Sequence, residues 1–269
     1  MLLDLLALPF FQRALLVGII LGLLMALMGV FVVLRRLSFF SDAIGHSALT
    51  GIALGILLHM NPFISGLVFC CLLAVVITWA RRYSKLPIDT ILGVSFPVAV
   101  ALGIILVQLT PGYQTDLLAF LFGDILTVST LDIGISFGLA VIVGVFLLLA
   151  GKKLVTIALD ESLAQAEGVA VFWYEVLLLL LLAAVIAMAI KLVGIVLVTA
   201  MLVIPAATAQ NLAWSLSSMF GLSTLASLVA VIAGMLLSAA LNIPSGPTIV
   251  IVAGLLFTLS LLRSRAGAH

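Results

Sequence analysis

Residues 14–34 read ALLVGIILGLLMALMGVFVVL, an uncharged run followed at once by Arg35 and Arg36. At 1.5 Å per residue, a helix of this length matches the roughly 30 Å hydrocarbon core of a bilayer. The paired arginines then mark the water boundary. Working outward, eight more apolar runs lie near 43–60, 63–80, 88–110, 133–150, 172–190, 192–213, 219–241 and 246–262. The expected fold is therefore an all-α, polytopic membrane protein of about nine transmembrane helices, forming a single domain over residues 1–269. Two joints are inferred from a breaker and a lone charge, Asn61-Pro62 and Lys191.

Composition leads to the same class. Of 269 residues, 65% are hydrophobic and 8% are charged, and the formal net charge is +1. Soluble domains carry about 25% charged residues, because a water-facing surface must be covered by polar groups. The mean hydropathy of +1.49 makes the bilayer the solvent. Soluble enzymes, nucleic-acid binders and disulfide scaffolds are set aside, and no strong field points to a polyionic partner. Cys70 and Cys71 are adjacent and cannot readily meet disulfide geometry, so they read as small hydrophobes of a span. Met1 to Phe11 holds Asp4 but no Lys or Arg, unlike a signal peptide.

The cations set the orientation. With the N-terminus outside, the inner connections hold Arg35, Arg36, Arg81, Arg82, Lys85, Lys152, Lys153, Arg263 and Arg265, leaving Arg13 and Lys191 outside. The C-terminus then lies inside. Two connections exceed a turn. Residues 114–130 form an extracytoplasmic interfacial segment, and residues 151–171 form a long cytoplasmic loop.

The chain holds no engine of its own. The one Gly-Lys pair is Gly151-Lys152, with Phe146 where a phosphate loop needs its first glycine. The HExxH and Gly-x-Ser-x-Gly patterns are absent. No enzymatic activity is expected, so an energy source must be another polypeptide or an ion gradient.

Several features carry possible chemistry. Asp42 and His46 stand four apart at the start of the second span, on one helical face, where both could bind one Zn²⁺ or Mn²⁺. Alternatively Asp42 caps the helix and His46 bonds a neighbouring carbonyl. Gly51 and Gly55 form a small-xxx-small pair that suits close helix packing, with pore lining as a secondary role. Residues 159–169, LDESLAQAEGV, read as a short helix on the cytosolic face that could dock a peripheral protein or serve as a plain connector. Pro205, Pro244 and Gly246 could be hinges or fixed kinks. Asp116 and Asp124, on the outer segment, could capture a cation or be exposed helix-end charges. His59 reads as interfacial.

These segments together resemble the permease subunits of bacterial zinc/manganese ABC importers, in particular the high-affinity zinc-uptake permeases. The resemblance rests on GVFVVLRRLS running into DAIGH at 29–46, DLLAFLFGDIL at 116–126, LVIPAATA at 202–209 and PSGP at 244–247. It implies a type II ABC importer permease fold and a homodimer in the bacterial plasma (inner) membrane. Two cytoplasmic ATP-binding subunits and an extracytoplasmic metal-binding protein would be its partners. It also implies Zn²⁺ as substrate, with Mn²⁺ or Fe²⁺ as alternatives, and no permanently bound cofactor. Asp42 and His46 become a transient transport site, and Asp116 and Asp124 a possible outer mouth. Asp160, Glu161, Ala164, Glu167 and Gly168 become the ATPase-coupling helix. Asn242 stands where relatives often carry a carboxylate, which removes one possible ligand from the last two spans. The rival classes are a proton-coupled secondary metal carrier and an intramembrane metalloenzyme. The first expects deep carboxylates and inverted repeats, the second His/Glu clusters.

Overall fold

The computed structural model describes residues 8–84, 86–109 and 128–266. Among them are nine helices long and apolar enough to span a membrane, and one short helix. In chain order they are α1 (Pro9–Leu34), α2 (Ser38–Leu57), α3 (Pro62–Tyr83), α4 (Ile88–Gln108), α5 (Thr130–Leu159), α6 (Glu161–Ala166), α7 (Val171–Val193), α8 (Ile195–Leu212), α9 (Leu216–Leu241) and α10 (Ser245–Ala266). No strand occurs among the described residues.

The breakers act where expected. Asn61 caps α3 through its side-chain oxygen, which accepts from the Phe63 and Ile64 amides, and Pro62 opens the helix where its missing N–H costs nothing. The α7–α8 joint falls at Gly194 rather than Lys191. A single residue with φ +79° ends α7 and begins α8, a conformation that suits glycine because it lacks Cβ. Lys191 sits in the last turn of α7. At the inner end, α5 runs on to Leu159, so residues 151–159 are helical and the irregular part of the 151–171 connection is short.

Polar contacts sort the helix ends into two groups. Arg35 after α1, Arg81 of α3, Glu161 of α6 and Glu175 of α7 are joined by ion pairs at one end. At the other end, Lys191 of α7 pairs with Asp132 of α5 and lies over the Phe63 ring of α3. Helices α3 and α5 therefore run the same way and α7 runs against them, and Arg35, Arg36, Arg81, Arg82, Lys152 and Lys153 gather at the first end. The positive-inside rule makes that end cytosolic.

Packing between helices in lipid relies on close approach rather than on hydrophobic exclusion. A Cβ on Gly51 would stand 2.5 Å from the Phe69 Cβ, and one on Gly55 2.7 Å from the Ser65 Cβ. Both glycines lie where α2 approaches α3 closely. Serines add hydroxyl ties between spans. Ser223 donates to the Ala26 carbonyl and Ser227 to the Gly22 carbonyl, linking α9 to α1. α1, α2 and α7 form the buried centre, whereas α5 is largely exposed along its length.

Candidate functional site

α2 brings Asp42 and His46 to one half-buried face. The His46 Nδ1 lies 3.0 Å from the main-chain oxygen of Asp42. A carbonyl oxygen only accepts, so this nitrogen carries the proton and donates. In the neutral ring, Nε2 then holds a free lone pair. That is the arrangement of a metal-ligating histidine, whose second nitrogen is tied to a carbonyl or carboxylate. The two readings weighed for His46 are thus compatible: the carbonyl bond orients the ring and leaves the other nitrogen free to ligate.

Neighbouring helices complete the surroundings. The Phe96 ring of α4 meets the imidazole edge-on, with centroids 5.3 Å apart. The Thr199 hydroxyl of α8, which donates to the Val196 carbonyl at 3.3 Å, lies near the Asp42 carboxyl. One turn beyond Asp42, Gly45 faces Ile190 and Ile195, the residues flanking the Gly194 joint. The joint therefore lies inside the bundle at the level of Gly45, and α8 starts there. Phe96 and Thr199 were not singled out in the sequence, because an isolated Phe or Thr in an apolar run carries no signal. Among the described residues no group of three or more His, Cys, Asp or Glu is placed to hold a metal.

Asp116 and Asp124 lie outside the described residues. The segment 159–169 folds into α6, with Asp160 as its N-cap. The Asp160 carboxylate accepts from the Ser162 and Leu163 amides and from the Ser162 hydroxyl, at 2.9, 3.1 and 2.5 Å. These bonds, the Ser162 hydroxyl foremost, hold its carboxyl below the ordinary carboxylate range. Ala164 is fully buried and packs with Ile157 and Val171, which fixes α6 to the bundle. Glu167 closes the helix, and Gly168 leaves it at φ +76°.

Pro205 is buried within a continuous α8. Pro244 lies exposed between α9 and α10, where its carbonyl accepts from the Thr248 hydroxyl at 2.7 Å. Gly246 faces Val193 and Leu197 beside the α7–α8 joint. Asn242 takes φ +55° and ends α9. Asparagine tolerates this left-handed conformation, which gives the residue a capping role there.

Sequence reading also passed over Glu175. It stands one turn into α7, 6% exposed, and receives Arg35 at 3.0 Å and Arg81. A lone carboxylate in FWYEVLLLL was the available signal, since an acid in a span needs a partner. Burial pushes the Arg35 guanidinium below its ordinary value, and the negative charge of Glu161 opposes that shift.

Residues 7–264 match the ABC 3 transport family. The chain belongs to that family. It is 38% identical over 251 residues to the high-affinity zinc uptake system membrane protein ZnuB of Haemophilus influenzae, covering 93% of this chain and 96% of that protein. The manganese import system permease protein ScaB of Streptococcus gordonii is also 38% identical, over 93% of this chain and 90% of its own length. Among solved structures, PsaBC from Streptococcus pneumoniae in complex with Fab superposes with a TM-score of 0.84 at 36% identity, over 96% of this chain and 94% of that one. This ABC 3 chain is thus a multi-pass membrane transport protein that shares its fold with PsaBC.

Proposed function

We propose that this ABC 3 chain is the membrane permease subunit of an ATP-driven importer for a divalent metal, with zinc as the principal substrate. The observation that carries the reading is the Asp42–His46 pair on α2, with Nδ1 tied to the Asp42 carbonyl and Nε2 left to ligate. A carboxylate and a neutral imidazole are ordinary Zn²⁺ ligands, and two of them hold an ion loosely enough to let it go. Water, or the same pair from a second copy in a homodimer, would fill the remaining positions. Two cytosolic ATPase subunits would dock on α6, around Asp160, Glu161, Ala164, Glu167 and Gly168. An extracytoplasmic binding protein would deliver the ion near residues 114–130, where Asp116 and Asp124 offer carboxylates. ATP turnover would switch the bundle between outward- and inward-open states. The host membrane would be the bacterial plasma membrane.

Manganese is the second reading, supported by the manganese permeases that match at the same identity as the zinc permease. Aspartate and histidine accept both ions, and selectivity then rests on geometry and availability.

The test is radiolabelled zinc uptake, with manganese as competitor, in cells expressing this chain with its ATPase. Asp42→Ala, His46→Ala and an ATPase-dead control are expected to lose uptake. Uptake that persists without ATP hydrolysis would overturn the importer reading in favour of a proton-coupled carrier. Uptake that survives both substitutions but not the ATPase control would move the metal site elsewhere.

A further inference from the structure

Four charged side chains from four elements form a neutral cluster at the cytosolic end. Glu161 of α6 receives Arg81 of α3 at 3.2 Å. The other Nη of Arg81 pairs with Glu175 of α7, and the same Glu175 oxygen receives Arg35 at 3.0 Å. Exposure falls along the chain of contacts: the Glu161 side chain is 44% exposed, Arg81 28%, Glu175 8% and Arg35 5%. The cluster thus begins on the surface of α6 and ends inside the bundle.

Its inner end is attached to the metal site. Arg35 caps α1, and its own amide donates to the Phe31 carbonyl at 3.0 Å. Arg36 follows at φ +56°, and the Leu37 amide closes the turn on the Val32 carbonyl at 2.8 Å. Leu37 is fully buried, and α2 begins at Ser38. Only two residues therefore separate the anchored Arg35 from the helix that carries Asp42 one turn later. Neither residue is slack, because each amide of the turn is bonded and Leu37 is locked in the core. Beside the cluster lies a cavity of about 510 Å³, lined by Arg81, Glu161, Gln165, Trp173 and Glu175, which leaves room for Arg81 to move.

We propose that Arg81 is a positioning residue that transmits displacement of α6 to the α1–α2 turn, and so to Asp42 and His46, through the Glu161–Arg81–Glu175–Arg35 cluster. The proposal rests on α6 being the ATPase-docking helix. A guanidinium is suited to this role because its planar fork bonds two carboxylates at once, which a lysine ammonium does less rigidly. Loss of Arg81 leaves the inner Arg35–Glu175 pair in place and cuts α6 from it. The expected defect is uncoupling rather than loss of the site.

The experiment uses the complete complex of this chain with its ATPase subunits in proteoliposomes. It reads ATP hydrolysis and radiolabelled Zn²⁺ transported per ATP, with Zn²⁺ presented on its binding protein. Arg81→Gln is expected to keep hydrolysis within about twofold of native while transport per ATP falls at least about tenfold. Arg81→Lys is expected to recover part of the ratio. Glu161→Gln, at the exposed end of the cluster, is expected to lower the ratio in the same sense. An unchanged ratio in Arg81→Gln and Glu161→Gln overturns the proposal while the docking role of α6 stands. If the native chain recruits no ATPase, the docking reading fails and this proposal fails with it.

Discussion

His46 shows how much one hydrogen bond decides. Its Nδ1 bond to the Asp42 carbonyl orients the ring and selects the tautomer, so Nε2 is the atom that would ligate in the proposed transport site. His46→Gln retains polarity without an imidazole lone pair. It is expected to reduce zinc uptake at least about tenfold, in line with the 10–100-fold effect of disturbing metal ligation. The readout is initial uptake rate at equal membrane abundance. Gly51 makes the converse case, since its importance lies in having no side chain. Gly51→Val is expected to cost about 1–3 kcal/mol through overlap with Phe69 and Gly66. Gly144→Ala, where an added Cβ meets nothing within 4 Å, is expected to leave thermal stability in detergent unchanged. Equal melting of the two variants would refute the packing role of Gly51.

At the scale of elements, α6 has only six residues and cannot form by propensity alone. It is held by its Asp160 cap, by buried Ala164 and by the Arg81–Glu161 pair. Because the Asp160 carboxyl is held below its ordinary range in the fold, its capping contribution is complete above the ordinary carboxylate pKa and is lost as pH falls through the depressed value. The cap is thus fully engaged at cytosolic pH. Asp160→Asn retains a side-chain oxygen for the Ser162 and Leu163 amides, and Asp160→Ala does not. Zinc-dependent ATP hydrolysis in the assembled complex is expected to rank native, Asn, Ala, and a reversed order of Asn and Ala would refute the cap.

For the whole molecule, the ion pairs divide the bundle into two ends, and the basic residues collect at one of them. With Cys70 and Cys71 replaced by alanine, a cysteine at Asn61 is expected to react with a membrane-impermeant maleimide in intact cells. One at Ser84 is expected to react only after lysis. The reverse labelling would invert the topology. At the opposite end, Lys191 donates to Asp132 at 2.5 Å, and Ser129 bonds the same carboxylate. Lys191→Met leaves Asp132, 6% exposed, without its cation. It is expected to cost about 1–3 kcal/mol in thermal stability, below the range for a fully buried pair because Lys191 keeps a third of its side chain exposed. Lys191→Met with Asp132→Asn is expected to recover most of that loss.

The sequence alone determined the number of spans, their order and their orientation, because hydrocarbon thickness and the sidedness of Lys and Arg act on each segment independently of its neighbours. It also brought Asp42 and His46 together, since residues four apart on a helix share a face whatever surrounds them. The α7–α8 joint was misplaced by a few residues: Lys191 marked a charge, but the chain bends where glycine permits φ +79°. Tertiary structure alone decided the rest. Phe96 reaches His46 from α4, and Arg35, Arg81, Glu161 and Glu175 converge from sites up to 140 positions apart. Contacts of that kind depend on which helices pack side by side: the four-residue spacing of Gly51 and Gly55 signals close approach but not that α3 is the helix approached.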